Sequence, residues 1–312
     1  MTSPSRGNKL VLYLLLYKLI MNYLFIGAII VFELQLNLIA LIITSQILNF
    51  FLPFIAYKII TKQKFSEILD LKPLNVKSVI LIICMSIVIQ PAMMFVSAIS
   101  SIFVTNDIAA IMQQLTVFPV FLSIVAIGVA PSLFEELMFR GALHNEYRKV
   151  DIKKAALVNG LFFGIMHMNL QQFVYAALLG VLLTYFMHYT GSIFAAMLSH
   201  FVINSSQVML GHFSFQQIAY MEYTMAEPIP EPSMLATLTF LAIFASLLIP
   251  LFIFLFREFV DANQGNHIPV NIEDDGVTLK LEKGLSSYKI NNWAFKGVVI
   301  YFVLYFAIDS FF

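Results

Sequence analysis

The chain alternates long apolar runs with short polar segments, a pattern typical of helices that cross a lipid bilayer. A spanning helix needs roughly 20 predominantly apolar residues. The pattern predicts about eight or nine such helices in one all-α polytopic membrane bundle. The predicted runs are 10–32, 36–60, 78–104, 118–139, 155–169, 171–189, 192–210, 235–256 and 294–312.

Two polar stretches interrupt this pattern and are predicted to lie outside the bilayer. Residues 211–234 are predicted to form a surface helix followed by an acidic, proline-rich loop. Residues 257–292 are predicted to form a polar cytoplasmic connection with a small hairpin. The chain then divides into 1–117 with the first three spans, a core at 118–210, an outer loop with the eighth span at 211–256, the segment 257–292 and a last span at 293–312.

Lysine and arginine fall in alternate connections between the predicted spans, so the basic connections all lie on one side of the bundle. Connections rich in these residues remain in the cytoplasm. The N-terminus is therefore predicted to be cytoplasmic. Lys18, within the first run, is predicted to reach the membrane interface with its long side chain.

The composition supports an integral membrane protein and excludes several functions. Hydrophobic residues make up 60% of the 312 residues and charged residues 12%, against about 45–50% and 25% in soluble domains. A formal net charge of +0 excludes a strongly basic nucleic-acid binder. The one cysteine, Cys84, lies in an apolar run and cannot form an internal disulfide or a cysteine-type zinc site. The many Ile, Phe and Asn residues favour the cytoplasmic membrane of a bacterium of low GC content.

Two adjacent glutamates, Glu135 and Glu136, end the fourth run, where charges are costly unless they are paired or face a polar cavity. Neighbouring helical residues point about 100° apart, so the two carboxylates cannot both face one cavity squarely. Glu136 and Arg140 are four residues apart, in the favourable acid-before-base order. We predict that Glu136 pairs with Arg140 and that Glu135 is free to act as a general base. The alternative is that both glutamates mark the membrane edge before a basic loop.

Three polar residues on later runs are further candidates for a site. His167 ends a run in which Gly160 and Gly164 form a small-residue face that lets another helix approach, so it should face the bundle. His200 and Asn204 are four residues apart and can hydrogen-bond an oxyanion or hold a metal and its water. For each of them the alternative is a hydrogen bond between helices.

The other histidines are interpreted as solvated residues at span ends or in polar segments; they are His144, His188, His212 and His267. The chain has no HExxH motif, in which two histidines one turn apart bind zinc. A metal site would therefore need ligands from three separate helices.

Three motifs in order resemble those of the CPBP family of intramembrane proteases, the CAAX-processing and bacteriocin-processing group also called Abi. The EExxxR motif is matched by Glu135, Glu136 and Arg140, the FxxxH motif by Phe163 and His167, and the HxxxN motif by His200 and Asn204. The resemblance covers about residues 118–210 and leaves the first three spans and the tail after 257 unmatched.

The resemblance implies a peptidase with its active site among the fourth, fifth and seventh spans. It implies that Glu135 and His167 activate the attacking water and that His200 and Asn204 stabilise the oxyanion. Glu136 and Arg140 would support the site.

The resemblance leaves the cofactor open. Glu135, His167 and His200 would make a three-ligand zinc site with one open position. A carboxylate base with oxyanion donors would also suffice without a metal. The substrate is expected to be a peptide or membrane protein that enters a wet cavity from the cytoplasm or from lipid, because the glutamates end the fourth run on the predicted cytoplasmic side.

The favoured function is therefore an intramembrane endopeptidase. One alternative is a catalytically silent membrane scaffold or bacteriocin-immunity protein, which would need none of the candidate residues Glu135, His167, His200 and Asn204. A second is a proton-coupled transporter, which the lack of obvious inverted repeats disfavours.

Overall fold

Helices make up the fold within the residues that the computed structural model describes, which are 2–104, 107–225, 232–265, 290 and 292–309. Those residues contain no β-strand. The helices are α1 (Pro4–Val31), α2 (Leu38–Thr61), α3 (Val76–Val88), α4 (Gln90–Ser100), α5 (Asp107–Leu115), α6 (Val120–Tyr147), α7 (Ile152–Met166), α8 (Leu170–Thr190), α9 (Ile193–Met225), α10 (Met234–Ala262) and α11 (Trp293–Asp309).

Seven of the described helical segments are long and apolar enough to cross a membrane: α1, α2, α3 with α4, α6, α8, α9 and α10. Helices α7 and α11 are apolar but shorter. An asparagine or aspartate begins several of the helices, as Asn37 does for α2 and Asn75 for α3, by accepting a backbone N–H from the first turn. The chain is therefore an all-α polytopic membrane protein, as the apolar pattern predicts.

Two predicted helix boundaries are wrong. Helix α9 continues for 33 residues to Met225, so the predicted surface helix after residue 210 is part of the same helix. Helix α6 continues to Tyr147, so the segment that begins at Arg140 is not a basic loop. Buried apolar side chains at Phe139 and Leu143 explain the longer helix, because they extend its packed face. The predicted hairpin within 257–292 lies mostly outside the described residues.

Helices α7 and α8 form a tightly packed hairpin at three glycines. A β-carbon on Gly160 would lie 2.5 Å from the Ala177 carbonyl oxygen, and one on Gly180 would lie 2.8 Å from the Gly160 Cα. A β-carbon on Gly164 would lie 2.5 Å from the Phe173 carbonyl oxygen. The predicted small-residue face is confirmed, and it brings His167, at the end of α7, against the start of α8.

A polar network joins the N-terminus to the end of α6. The buried Glu146 carboxylate accepts hydrogen bonds from the Ser3 backbone N–H at 2.8 Å and from the Tyr57 hydroxyl at 2.7 Å. Arg6 lies 3.4 Å from the same carboxylate. Residues from the start of α1, the end of α2 and the end of α6 therefore lie together at one end of the bundle.

Two further ion pairs lie at the same end of the bundle. Arg148 pairs with Asp70 at 2.8 Å, and Lys77 pairs with Glu258 at 3.1 Å. Burial raises the pKa of the Asp70 carboxyl above its usual value, and the charges of Arg148 and Lys72 oppose that rise. We call this the basic end of the bundle, because the basic connections that the sequence places on one side meet here.

Candidate active site

Glu135 and Glu136 face different surroundings at the middle of α6. Glu136 is fully buried, and both of its oxygens are engaged: Arg140 Nη1 donates to Oε1 at 3.2 Å, and Arg140 Nε lies 3.1 Å from Oε2. Glu135 instead accepts a hydrogen bond from Gln46 Nε2 at 2.9 Å and lines an open cavity. The predicted pairing of Glu136 with Arg140 is therefore present, and Glu135 is the carboxylate on the cavity wall.

Arg140 holds α6 against the α7–α8 hairpin. Its Nη2 donates to the Gly180 carbonyl oxygen at 2.8 Å, and its guanidinium carbon lies 4.8 Å from the centre of the Phe163 ring. The residue is fully buried inside a π-helical turn, Leu137–Leu143. Such turns are frequent at functional sites. Arg140 therefore fixes Glu136 and the hairpin together.

His167 directly follows Met166, the last residue of α7. This position places its side chain on the wall of the cavity that Glu135 lines. Its Nδ1 is 2.8 Å from the Phe163 carbonyl oxygen, which can only accept, so Nδ1 carries the proton in that bond. The neutral ring then leaves Nε2 as a free acceptor. His167 and Glu135 line the same cavity of about 570 Å³, in an otherwise apolar bundle.

His200 and Asn204 each hydrogen-bond another helix, which is the alternative that the sequence leaves open for them. His200 Nδ1 is 2.8 Å from Glu136 Oε1, not bonded to Glu135. Asn204 Nδ2 donates to the Ile127 carbonyl oxygen at 2.9 Å, in the π-helical turn Ile124–Val129 of α6. Both residues thus bind α6, and the partner of His200 is Glu136 rather than Glu135.

The aromatic ring of Phe163 lies between the two histidines. Its centre is 5.0 Å from the His167 ring and 5.8 Å from the His200 ring, with an edge-on arrangement in both contacts. Glu136, Arg140, His200 and Phe163 therefore form a packed group directly behind the cavity that Glu135 and His167 line.

Residues 117–206 match the protein-family model described as type II CAAX prenyl endopeptidase Rce1-like. This segment contains all three motifs and the packed group. Over this segment the chain is similar to that family of endopeptidases. The match covers less than a third of the chain, and the residues outside it include all of α1 and α2. Neither a curated protein nor a solved structure matches the chain.

The three proposed zinc ligands, Glu135, His167 and His200, do not converge. Among the described residues, no group of three or more His, Cys, Asp or Glu side chains is placed to hold a metal ion. Glu135 and His167 share the cavity, but His200 directs its Nδ1 to Glu136. The donor set does not fit a three-ligand zinc site as arranged.

The other histidines that the structure describes are not all solvated. His144 is buried inside α6, contrary to the prediction, because α6 continues through it as a packed helix. His188 is half-buried near the end of α8, and His212 lies 2.9 Å from Gln216 on α9. His267 lies outside the described residues.

Sequence motifs missed two residues of the cavity wall, Lys18 and Gln46. The prediction that Lys18 reaches the interface is wrong, because α1 begins at Pro4 and places Lys18 near its middle. Its Nζ instead donates to the Met166 carbonyl oxygen at 2.7 Å, beside His167. A lysine inside a 28-residue apolar helix is itself a signal of function, since such charges are costly in a membrane.

Proposed function

We propose that this protein is an intramembrane peptidase that hydrolyses a peptide bond in a membrane-associated peptide or protein, with a water held between Glu135 and His167 as the nucleophile. One observation carries the proposal: a carboxylate and an imidazole line the same cavity inside an apolar helical bundle. A carboxylate partly shielded from bulk solvent is suited to act as a general base. The Glu135 carboxylate and His167 Nε2 can each accept a hydrogen bond from one water, which favours a water between them.

The proposed reaction begins when Glu135 takes a proton from that water while His167 Nε2 accepts a hydrogen bond from the other O–H, which stays on the oxygen. The resulting hydroxide attacks the scissile carbonyl carbon, and the carbonyl oxygen becomes an oxyanion. Collapse of this intermediate breaks the C–N bond, and protonated Glu135 returns its proton to the leaving amine. Each proton transfer of this kind contributes about 10²–10⁴-fold to the rate.

We propose that His200 and Asn204 stabilise the oxyanion, as the family resemblance implies. Asn204 uses one amide N–H for the Ile127 carbonyl, and an amide carries two such donors. His200 is held through its Nδ1 by the Glu136 carboxylate, which itself contacts Arg140. These contacts support a role in which Glu136 and Arg140 orient His200.

The position of the cavity changes the expected route of the substrate. Glu135 is not at the cytoplasmic end of its helix, because α6 continues roughly 18 Å further to Tyr147. On α1 the cavity is lined from Leu15 to Ile26, which is the half of that helix remote from the basic end. We propose that the substrate enters from the bilayer or from the side opposite the basic end, rather than from the cytoplasm.

We further propose that the basic end faces the cytoplasm of a bacterial cell, with the N-terminus inside. A reporter fused after Arg148 is expected to give a cytoplasmic signal, because the connection that follows α6 belongs to the basic end. A reporter fused in the predicted outer loop, after residue 230, should give the opposite signal. The same signal from both fusions, or an external signal after Arg148, would refute this orientation.

His167→Gln tests the proposed chemistry. We expect the turnover of a quenched-fluorescence peptide with an apolar segment, in proteoliposomes, to fall about 100-fold, because the second acceptor for the nucleophilic water is lost. His212→Gln, on the far part of α9, is the matched control and should retain wild-type turnover. Equal turnover by wild type and His167→Gln would reject the role of His167, and no turnover by wild type would favour a catalytically silent scaffold.

The same assay addresses the metal. Treatment with a chelator, followed by added zinc, distinguishes the two mechanisms that the resemblance leaves open. Unchanged turnover supports the glutamate-activated water without metal. Loss with the chelator and recovery with zinc would require Glu135, His167 and His200 to rearrange into a ligand set.

A further inference from the structure

Lys18 meets the active-site cavity from a helix outside the family-matched segment. Its Nζ donates to the Met166 carbonyl oxygen at 2.7 Å and lies 5.5 Å from the centre of the Phe50 ring. The ammonium also interacts electrostatically with Glu135. Lys18 lines the cavity together with Glu135 and His167, so one cation faces both residues of the proposed water site.

The contact with Met166 lies at a helix end that needs a donor. The last carbonyl groups of a helix have no partner within the helix, and a cation there is favourable because the carbonyl end of a helix carries partial negative charge. Met166 is the last residue of α7 and immediately precedes His167. Lys18 therefore anchors the backbone from which the His167 ring projects.

A tight turn follows His167, directly after the carbonyl that Lys18 binds. Met168 has a φ of 52°, a left-handed conformation that is uncommon for residues other than glycine. The Asn169 side chain then begins α8 by accepting the Gln172 N–H. The turn between α7 and α8 is thus fixed on one side by the asparagine cap and on the other by Lys18.

The cost of the charge argues against a passive role for Lys18. A lysine near the centre of a membrane helix costs about 2.5–3.5 kcal/mol on translocon-based scales. An apolar residue of similar length would fill the same space on α1 without that cost. Other charged and titratable groups near Glu135 include His167 on α7, Tyr175 on α8, and Arg140 on its own helix, which is already paired with Glu136.

We propose that Lys18 is a positioning residue for the pair of Glu135 and His167. Its ammonium holds the carbonyl end of α7 beside His167 and places a positive charge opposite the Glu135 carboxylate. The proposal rests on the proposed peptidase chemistry, and it makes α1 a wall of the active site. The family-matched segment 117–206 would then not contain the complete site.

Lys18→Met and Lys18→Arg test this role with the wild-type chain in proteoliposomes. Methionine keeps the length but removes the charge and the donors, so kcat is expected to fall at least about tenfold while KM changes less than about twofold. Arginine keeps the charge and a donor, so it should recover kcat to within about threefold of wild type. Lys9→Met, on the same helix but outside the cavity, is the control and should match wild type.

The outcomes separate this role from a merely structural one. A kcat for Lys18→Met within twofold of wild type would overturn the proposal, and so would parallel losses of kcat and thermal stability that arginine does not rescue. If Lys18→Met cannot be purified as a folded protein, Lys18→Gln replaces it, and an unchanged kcat for that variant also overturns the proposal. Activity in wild type that is lost in Glu135→Gln shows that the peptidase chemistry stands independently of Lys18.

Discussion

Glu135→Gln is expected to lower peptide turnover about 10³-fold while the protein remains folded. The variant keeps the size of the side chain and can still accept the Gln46 hydrogen bond, but it cannot take a proton from water. Because Glu135 lies on the cavity wall and is not paired with a basic side chain by a hydrogen bond, the thermal midpoint should stay close to that of wild type. The measurement is kcat for a quenched peptide in proteoliposomes, with the thermal midpoint measured on the same preparation.

Glu222→Gln provides the matched control for this substitution. Glu222 is exposed on α9, so the same chemical change there should leave kcat and the thermal midpoint unaltered. Wild-type turnover by Glu135→Gln would remove the glutamate base from the mechanism. A collapse of the thermal midpoint in that variant would instead assign Glu135 a structural role.

Arg140→Met, unlike Glu135→Gln, is expected to destabilise the protein. The free energy of unfolding should fall by about 3–5 kcal/mol. Removal of one partner from a buried ion pair leaves an uncompensated charge, and the cost is large because the interior cannot solvate it. Here the stranded group would be Glu136, which would keep His200 but lose both contacts with the guanidinium. The Gly180 carbonyl would also lose a donor. Thermal unfolding in detergent measures the effect.

The exposed ion pair of Lys77 and Glu258 is the control for Arg140. Both side chains are about half exposed, at 57% and 42%, so Lys77→Met should cost less than about 1 kcal/mol. A double variant, Glu136→Gln with Arg140→Met, should be less destabilised than the sum of the single variants, because neither charge is left alone. Similar stability for Arg140→Met and Lys77→Met would show that the buried group does not support the fold.

The helices and the local pairing were predictable from the sequence because both depend on short-range spacing. Apolar runs near 20 residues indicate spans, and the spacing of Glu136 and Arg140 places them on one face. The ends of α6 and α9 were not predictable in the same way. Polar residues inside a packed helix look the same in the sequence as polar residues in the loop after a helix. Only tertiary contacts distinguish the two cases.

The partners of the candidate residues depend on helices distant in sequence. The sequence predicts that the side chains of Glu135 and Glu136 point to different sides of the helix, but it does not predict which of them contacts His200. That choice depends on how α9 crosses the irregular turns of α6. Gln46 and Lys18 carry no motif, and their place in the site follows from how α1 and α2 pack beside α7.

The backbone carbonyl of Gly180 lies where three helices meet. It accepts hydrogen bonds from Arg140 on α6 and from Thr184 on its own helix, and its residue packs directly against Gly160 on α7. A side chain at this position would separate α7 from α8 and carry the carbonyl away from the guanidinium. The buried pair of Arg140 and Glu136 therefore limits the size of a neighbouring residue as well as the polarity of its partners. An added methyl group on Gly180, which carries no charge, would disturb the contacts of that pair.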